Sequence, residues 1–368
     1  MTGYLVKGKE FFCISTSSLL KLILTLIVFF TLMPIKLGVY TVVIQLFLCV
    51  CFLFFCNLSF RYLLFAILGT IGLILLALFS LFIDLKITLL FVFFVLMSCN
   101  VDCQDDYLTT PLKIALNFIF IVSFFQFLFP YPFWYCFAEN DGHLHLFKVG
   151  YSVYSTLGSS THSAYITLLI GSYLLYVKGE SKYYFVITLI SLVLFSNKVC
   201  ILVFLFISFA FFFLKSDFNK KMFVIFLSVI LLFFLWKLIF ESYYIAWSTT
   251  DLHNIHTISH RLNLIKDVAE RASHPEFWFI GEPSYISYFG LAFDSAVILL
   301  FFRYGIFFTI YIYLVMLIKV GFRYHIFYLS IILPSVTQVS FYNTQFLILI
   351  SLMLVFIKKK SNGDINAR

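Results

Sequence analysis

The sequence predicts an all-α, polytopic membrane protein with about twelve transmembrane helices, and three observations predict it. Hydrophobic types make up 62% of the 368 residues and charged types only 11%, against about 25% charged in a soluble domain. Apolar runs of roughly 15 to 22 residues recur along almost the whole chain, and about 20 are needed to cross a bilayer as a helix. Alternating strands of about ten residues bounded by turns are absent, which excludes a β-barrel.

Taken in order, the apolar runs place spans near 19–33, 37–57, 62–83, 85–99, 111–130, 162–178, 182–196, 199–214, 222–240, 292–318, 324–342 and 343–357. The first follows Lys7 and Lys9 and is not followed by an A-x-A-like site. It reads as a retained helix, not a cleaved signal. With the N-terminus in the cytoplasm, Arg61, Lys178, Lys182, Lys215, Lys220, Lys221, Lys319, Arg323 and Lys358 to Lys360 all fall inside, as the positive-inside tendency asks. Both termini are then cytoplasmic. The inner loop Asn100–Thr110 is acidic, with Asp102, Asp105, Asp106 and Cys103. It reads as a solvated loop, with a metal site as the weaker alternative.

Residues 1–368 form a single membrane domain with two long outer loops, Tyr131–Thr161 and Glu241–Leu291. Loops much longer than about 12–15 residues are usually functional or disordered. Trp134, Trp247 and Trp278 argue that these are ordered or interfacial. Cys49, Cys51, Cys56, Cys99 and Cys200 lie in or beside apolar spans, where thiols pack as small hydrophobes, so no disulfide framework is expected. The net charge of +8 is scattered between spans, which fits membrane topology and not nucleic acid.

One segment departs from this oily background: Ile258–Ser284, ISHRLNLIKDVAERASHPEFWFIGEPS. A helix capped by Ser259, running to about Ser273 and stopped by Pro275, gathers Leu262, Leu264, Ile265, Val268, Ala269 and Ala272 on one side. Asn263, Lys266, Asp267 and Glu270 gather on the other, as in a helix lying on a membrane or over a groove. Arg261 projects into the apolar face and Arg271 sits at its edge. An arginine there calls for an anionic ligand or an internal carboxylate, which its planar fork suits, unless it snorkels.

Beyond it, Gly281, Pro283 and Gly290 permit a tight re-entry into the membrane. Asp294 and Arg303 follow inside the next apolar run, where ionisable groups are costly and point to function or to pairing between helices. Lys198, with Arg261, Arg271 and Lys148, adds positive charge to the outer face. His253, His256 and His260 have a spacing that can converge on zinc, but no Cys or carboxylate completes a site. They read as loop histidines, with a general base as the alternative, and no metal is expected. His143 and His145 alternate as on a strand.

These features resemble the Wzy-type O-antigen and polysaccharide polymerases, relatives of the O-antigen ligases of the bacterial inner membrane. The local carriers are SNKVC at Ser196–Cys200, HRL at His260–Leu262, HPEFWFIGEPS at His274–Ser284 and FDSAVILLFFRYGI at Phe293–Ile306. Lys198 stands where relatives often carry arginine, and nine residues separate Arg271 from Gly281 where some relatives have ten. Asp294-Ser295 stands near the position of the ligases' histidine motif, which favours polymerase over ligase.

The resemblance implies a GT-C-like helical fold and glycosyl transfer at the periplasmic face. The growing glycan leaves undecaprenyl diphosphate and joins the non-reducing end of a new lipid-linked repeat unit. Arg261, Arg271, Lys198 and Arg303 would bind the diphosphates, Arg261 also acting in catalysis, with Gly281 and Pro283 shaping the loop. Glu282, Asp294 or His260 would take the acceptor's proton. No cofactor is required. The implied partners are the lipid-linked oligosaccharide donor and acceptor, the bilayer and a chain-length regulator, with no nucleic acid. The rival readings are a Wzx-like flippase of the same lipid-linked sugars, whose charges would line a cavity within the spans, and an O-antigen ligase.

Overall fold

A computed structural model of the chain describes residues 16–34, 37–80, 85–100, 107–215, 266–281, 295–336 and 344–357. They are overwhelmingly helical, as expected. The spans expected before 216 appear as α1 (Thr16–Thr31), α2 (Gly38–Leu53), α3 (Phe60–Ser80), α4 (Leu85–Ser98), α5 (Thr109–Leu128), α7 (Ser160–Ser172), α8 (Lys182–Leu194) and α9 (Lys198–Lys215). The span expected at 222–240 lies outside the described residues. A short helix, α6 (Asp141–Lys148), sits in the first long loop, and α10 (Pro275–Phe279) in the second. The run expected as one span at 292–318 is two helices, α11 (Ala296–Tyr304) and α12 (Ile306–Val320), divided at Gly305. α13 (His325–Ser335) and α14 (Thr344–Val355) follow. The extended residues belong to one antiparallel pair, β1 (Asn57–Leu58) with β2 (Cys99–Asn100).

Among the described residues, the expected count of twelve spans is not reproduced by length. There, Thr109–Leu128 is long and apolar enough to cross a membrane by itself, and Ile306–Val320 with Phe322–Ser335 passes only as a pair bent by 96°. The other apolar stretches are shorter, such as Ser17–Thr31 and Tyr62–Leu76. At 1.5 Å per residue, 15 residues reach about 22 Å, short of the roughly 30 Å hydrocarbon layer.

α14 packs against α1, α2, α4 and α12, and α7 against α5, α8, α9 and α13, so each is the centre of a helix group. Inside the first, Gln45 Nε2 donates to Thr31 Oγ1 at 2.9 Å, and Gln345 Nε2 to Thr41 Oγ1 at 2.8 Å. Small polar side chains such as Ser123, Thr167, Thr188, Ser191 and Ser330 are fully buried, while Phe47, Phe54, Phe60, Leu64 and Leu78 face outward. The interior is mainly apolar, as in Leu24, Phe94, Ile170 and Phe327, with these small polar groups set among it, and the outer surface is apolar as well.

Contacts between helix ends join ends that the charge pattern assigns to the same side. On the side assigned to the cytoplasm, buried Lys319 donates to the carbonyls of Met97 and Cys99 at 3.0 and 2.7 Å, under the ring of Tyr62 at 4.2 Å. Two carbonyls at the end of α4 thereby gain a cationic donor. Lys113 pairs with Glu180 at 2.8 Å, and Lys178 Nζ donates to Phe356 O at 3.3 Å. On the other side, Thr156 Oγ1 donates to Leu32 O at 2.7 Å and Ser196 Oγ to Tyr151 O at 2.8 Å.

Candidate functional site

The helix expected in the second long loop is helical at 266–271 and turns before Pro275, which opens α10 at its first turn. Pro is accepted there because that position has no intrahelical N–H bond to lose. Val268 packs against the core as expected, whereas Ala269, placed on the same face, is exposed. The Trp278 indole donates to Ala272 O at 2.7 Å and satisfies a carbonyl at the helix end.

α10 seats this segment on the break between α11 and α12. Buried Phe277 meets Phe302 edge-on at 5.4 Å, and Trp278 and Phe279 meet Phe307 at 5.7 and 5.0 Å. Gly281 and Gly305 have φ of +69° and +80°, and their backbones nearly touch. A Cβ on Gly281 would lie 2.6 Å from Gly305 N and Phe302 O; one on Gly305 would lie 2.8 Å from Trp278 O. The expected role of Gly281 in loop geometry is thus a backbone-to-backbone clamp that only glycine permits.

Beside the clamp, Arg271 is half-buried with its guanidinium carbon 5.7 Å from the Phe302 ring centroid. With His274, Glu276, Phe277 and Gly281 it lines a cavity of about 270 Å³. The guanidinium thus lies within cation–π reach of the ring, and a guanidinium's planar fork is suited to a phosphate or carboxylate. His274 Nδ1 lies 3.7 Å from Glu276 Oε1, an exposed pair at the rim.

The other expected site residues are divided. Arg261, His260, Glu282, Pro283 and Asp294 lie outside the described residues, as do His253, His256 and the Asp102–Asp106 loop. Arg303 stands in the last turn of α11, where a cation meets the negative end of the helix dipole. Lys198 is exposed at the start of α9. Its neighbours make a turn and a cap: Ser196 has φ of +53°, and Asn197 Oδ1 accepts from Cys200 N at 3.0 Å. α9 packs chiefly on α13, whereas α10 packs on α12 and α11, so Lys198 and Arg271 belong to different helix groups. Among the described residues no group of three or more His, Cys, Asp or Glu is arranged to hold a metal.

A second cluster was not anticipated. His143 and His145 lie on α6, not on a strand, because Asn140 caps that helix by accepting from His143 N at 3.0 Å. Glu139 Oε2 stands 3.5 Å from His162 Nδ1 and 3.8 Å from His143 Nε2, and Ser159 Oγ lies 3.1 Å from that same His143 nitrogen. Burial alone would raise the Glu139 carboxyl, but His162, His143 and the Ser159 hydroxyl outweigh it and hold it below its usual value. Burial lowers His143 despite the carboxylate.

The loop carrying this cluster is pinned from below. Gln126 Oε1 accepts from Tyr154 N and Ser155 N at 3.3 and 2.8 Å, Tyr154 OH donates to Trp134 O at 3.0 Å, and Glu139 N to Gly158 O at 2.9 Å. The sequence signals were the Asn140-Asp141 start and Pro132 in the first turn of the preceding Pro132–Phe137 turn of helix. Nothing local joined Glu139 to His162.

Comparison with protein-family models, with curated proteins and with solved structures gave no match, so the functional reading rests on these residues and their geometry.

Proposed function

We propose that the chain is a bacterial inner-membrane polysaccharide polymerase. It transfers a growing glycan from undecaprenyl diphosphate to the non-reducing end of a lipid-linked repeat unit. The observation that carries this reading is the Arg271 crevice: a guanidinium within cation–π reach of Phe302, beside a glycine clamp, at the end of α12 opposite Lys319. A diphosphate leaving group gains charge as its bond to the anomeric carbon breaks, and a preorganised cation there lowers the barrier. Arg261 stands ten residues earlier in the same segment and is assigned the companion role.

Outward Phe and Leu around buried Ser, Thr and Gln support a bilayer setting, since soluble monomers rarely expose large contiguous apolar patches. The spans number about twelve in this reading, the short ones matched by local thinning of the bilayer and snorkelling flanks. The two sets of helix-end contacts group the helix ends as the charge pattern does, and the positive-inside tendency then makes 131–161 and 241–291 periplasmic and both termini cytoplasmic in this reading.

Deleting the gene tests this. A silver-stained gel is expected to show the lipid anchor capped with a single repeat and no longer ladder. An unchanged ladder contradicts the reading, and complete loss of repeats assigns the chain to a flippase or a ligase.

A further inference from the structure

We propose that the aromatic stretch leaving α5, residues 127–133 with Trp134, is an anchor that seats the outer end of that helix at the boundary between lipid acyl chains and headgroups. This rests on the bilayer setting above and not on the transfer chemistry. Length gives the first argument. α5 has 20 residues and covers about 30 Å, the thickness of the hydrocarbon layer. With Thr109 at the inner boundary, the residues after Leu128 meet the outer one.

Continuity gives the second argument. Ile114, Phe118, Ile121, Phe125 and Leu128 face outward along α5, and the exposed apolar strip runs on through Phe129, Tyr131 and Phe133. The rings of Phe129 and Tyr131 are parallel to within 2°, with centroids 6.2 Å apart, and Phe133 packs on Trp134 at 4.1 Å. No charged residue occurs in the sequence between Lys113 and Glu139. Exposed charge begins on α6, with Asp141 and Lys148.

The backbone gives the third. Irregular backbone beside lipid is costly unless its polar groups are paired within the protein. Pro130 and Pro132 have no N–H to pair. Phe129 O accepts from Tyr131 N at 2.8 Å and from the Trp134 indole at 2.9 Å, Tyr131 O from Trp134 N at 3.2 Å, and Trp134 O from Tyr154 OH at 3.0 Å. A loop bathed in water has no need of such pairing. Exposed rings can also receive a sugar, but no charged or amide side chain stands between Phe127 and Phe137 to bond its hydroxyls. The rings continue a lipid-facing helix, and aromatic side chains concentrate at the membrane–water interface.

The test reads Trp134 in the full-length protein carrying Trp236→Phe, Trp247→Phe and Trp278→Phe, in phosphatidylcholine vesicles. Lipids brominated near the glycerol end of the acyl chain should quench most of its fluorescence. Lipids brominated near the chain end should quench much less, and iodide in the outer water little. Phe118→Trp added to this protein supplies a mid-span signal that the deep bromines should quench best. Phe129→Ser, Tyr131→Ser and Phe133→Ser combined should move Trp134 into reach of iodide. Quenching of Trp134 by iodide and not by bromine puts the rings in water and overturns the anchor; protection from both puts them under another chain or a glycan and overturns it as well. An unchanged Trp134 depth in the triple serine variant denies the rings their seating role. A quenched mid-span signal beside an unquenched Trp134 removes the anchor alone. Loss of both bromine responses overturns the bilayer setting, and the anchor with it.

Discussion

Arg271→Ala is expected to abolish chain extension in the complemented deletion strain, leaving the single-repeat cap. Removing one preorganised donor from a developing oxyanion costs about 10²–10³ in rate. A residue that both grips the diphosphate and meets the charge of departure belongs at the upper end. Arg271→Lys restores the charge but neither the planar fork nor the guanidinium's contact with Phe302, and should recover little of the ladder. Elongation rates of purified variants check the size of the loss. A normal ladder from Arg271→Ala removes the crevice from the mechanism.

Gly281→Ala and Gly305→Ala should come close to the same loss by a different route. Each forces an L side chain to a positive φ, at Gly305 with ψ of 164° a region essentially confined to glycine, a cost of roughly 1–3 kcal/mol. Each also drives a Cβ into backbone atoms, at 2.6 Å for Gly281 and 2.8 Å for Gly305. Neither contact relaxes by turning a side chain, so α10 must lift from the α11–α12 break and carry Arg271 away from Phe302. Gly150→Ala separates the two costs. It has φ of +70° but nothing within 4 Å of the added Cβ, and should keep most of the activity. Protease sensitivity of the 266–281 segment should rise in the first two variants and not in the third. Equal ladders from all three would show that close approach at the clamp is immaterial.

Much of the fold was legible because hydropathy runs and helices share a length scale. The run at 111–130 became Thr109–Leu128, and charge placement anticipated which helix ends meet, as Lys178 with Phe356 and Lys319 with Cys99 illustrate. The division at Gly305 was hidden because FDSAVILLFFRYGIFF is apolar on both sides of the glycine. What breaks it is the approach of Gly281, a tertiary event. Lys319 read as a loop charge, yet it is buried because two carbonyls and a ring replace its water.

The site divides along the same line. Arg271 and Gly281 stood out because a charge at the edge of an apolar helix face and a glycine after aromatics are local anomalies. Lys198 stood out too, but its neighbours Ser196 and Asn197 serve a turn and a cap. Glu139, His143, Ser159 and His162 carried no local pattern, since the cap at Asn140 and the backbone tie to Gly158 bring them together.

The account places the Arg271 crevice on the periplasmic face, and thiol labelling from outside intact cells tests that most directly. His274, at the rim, has a side chain 68% exposed, and Lys182 is exposed at the opposite end of the helices. In a background without the eight native cysteines, His274→Cys should react with a membrane-impermeant maleimide in intact spheroplasts, and Lys182→Cys only after permeabilisation. Labelling in the reverse order would put the crevice in the cytosol, away from the lipid-linked glycan, and contradict the account.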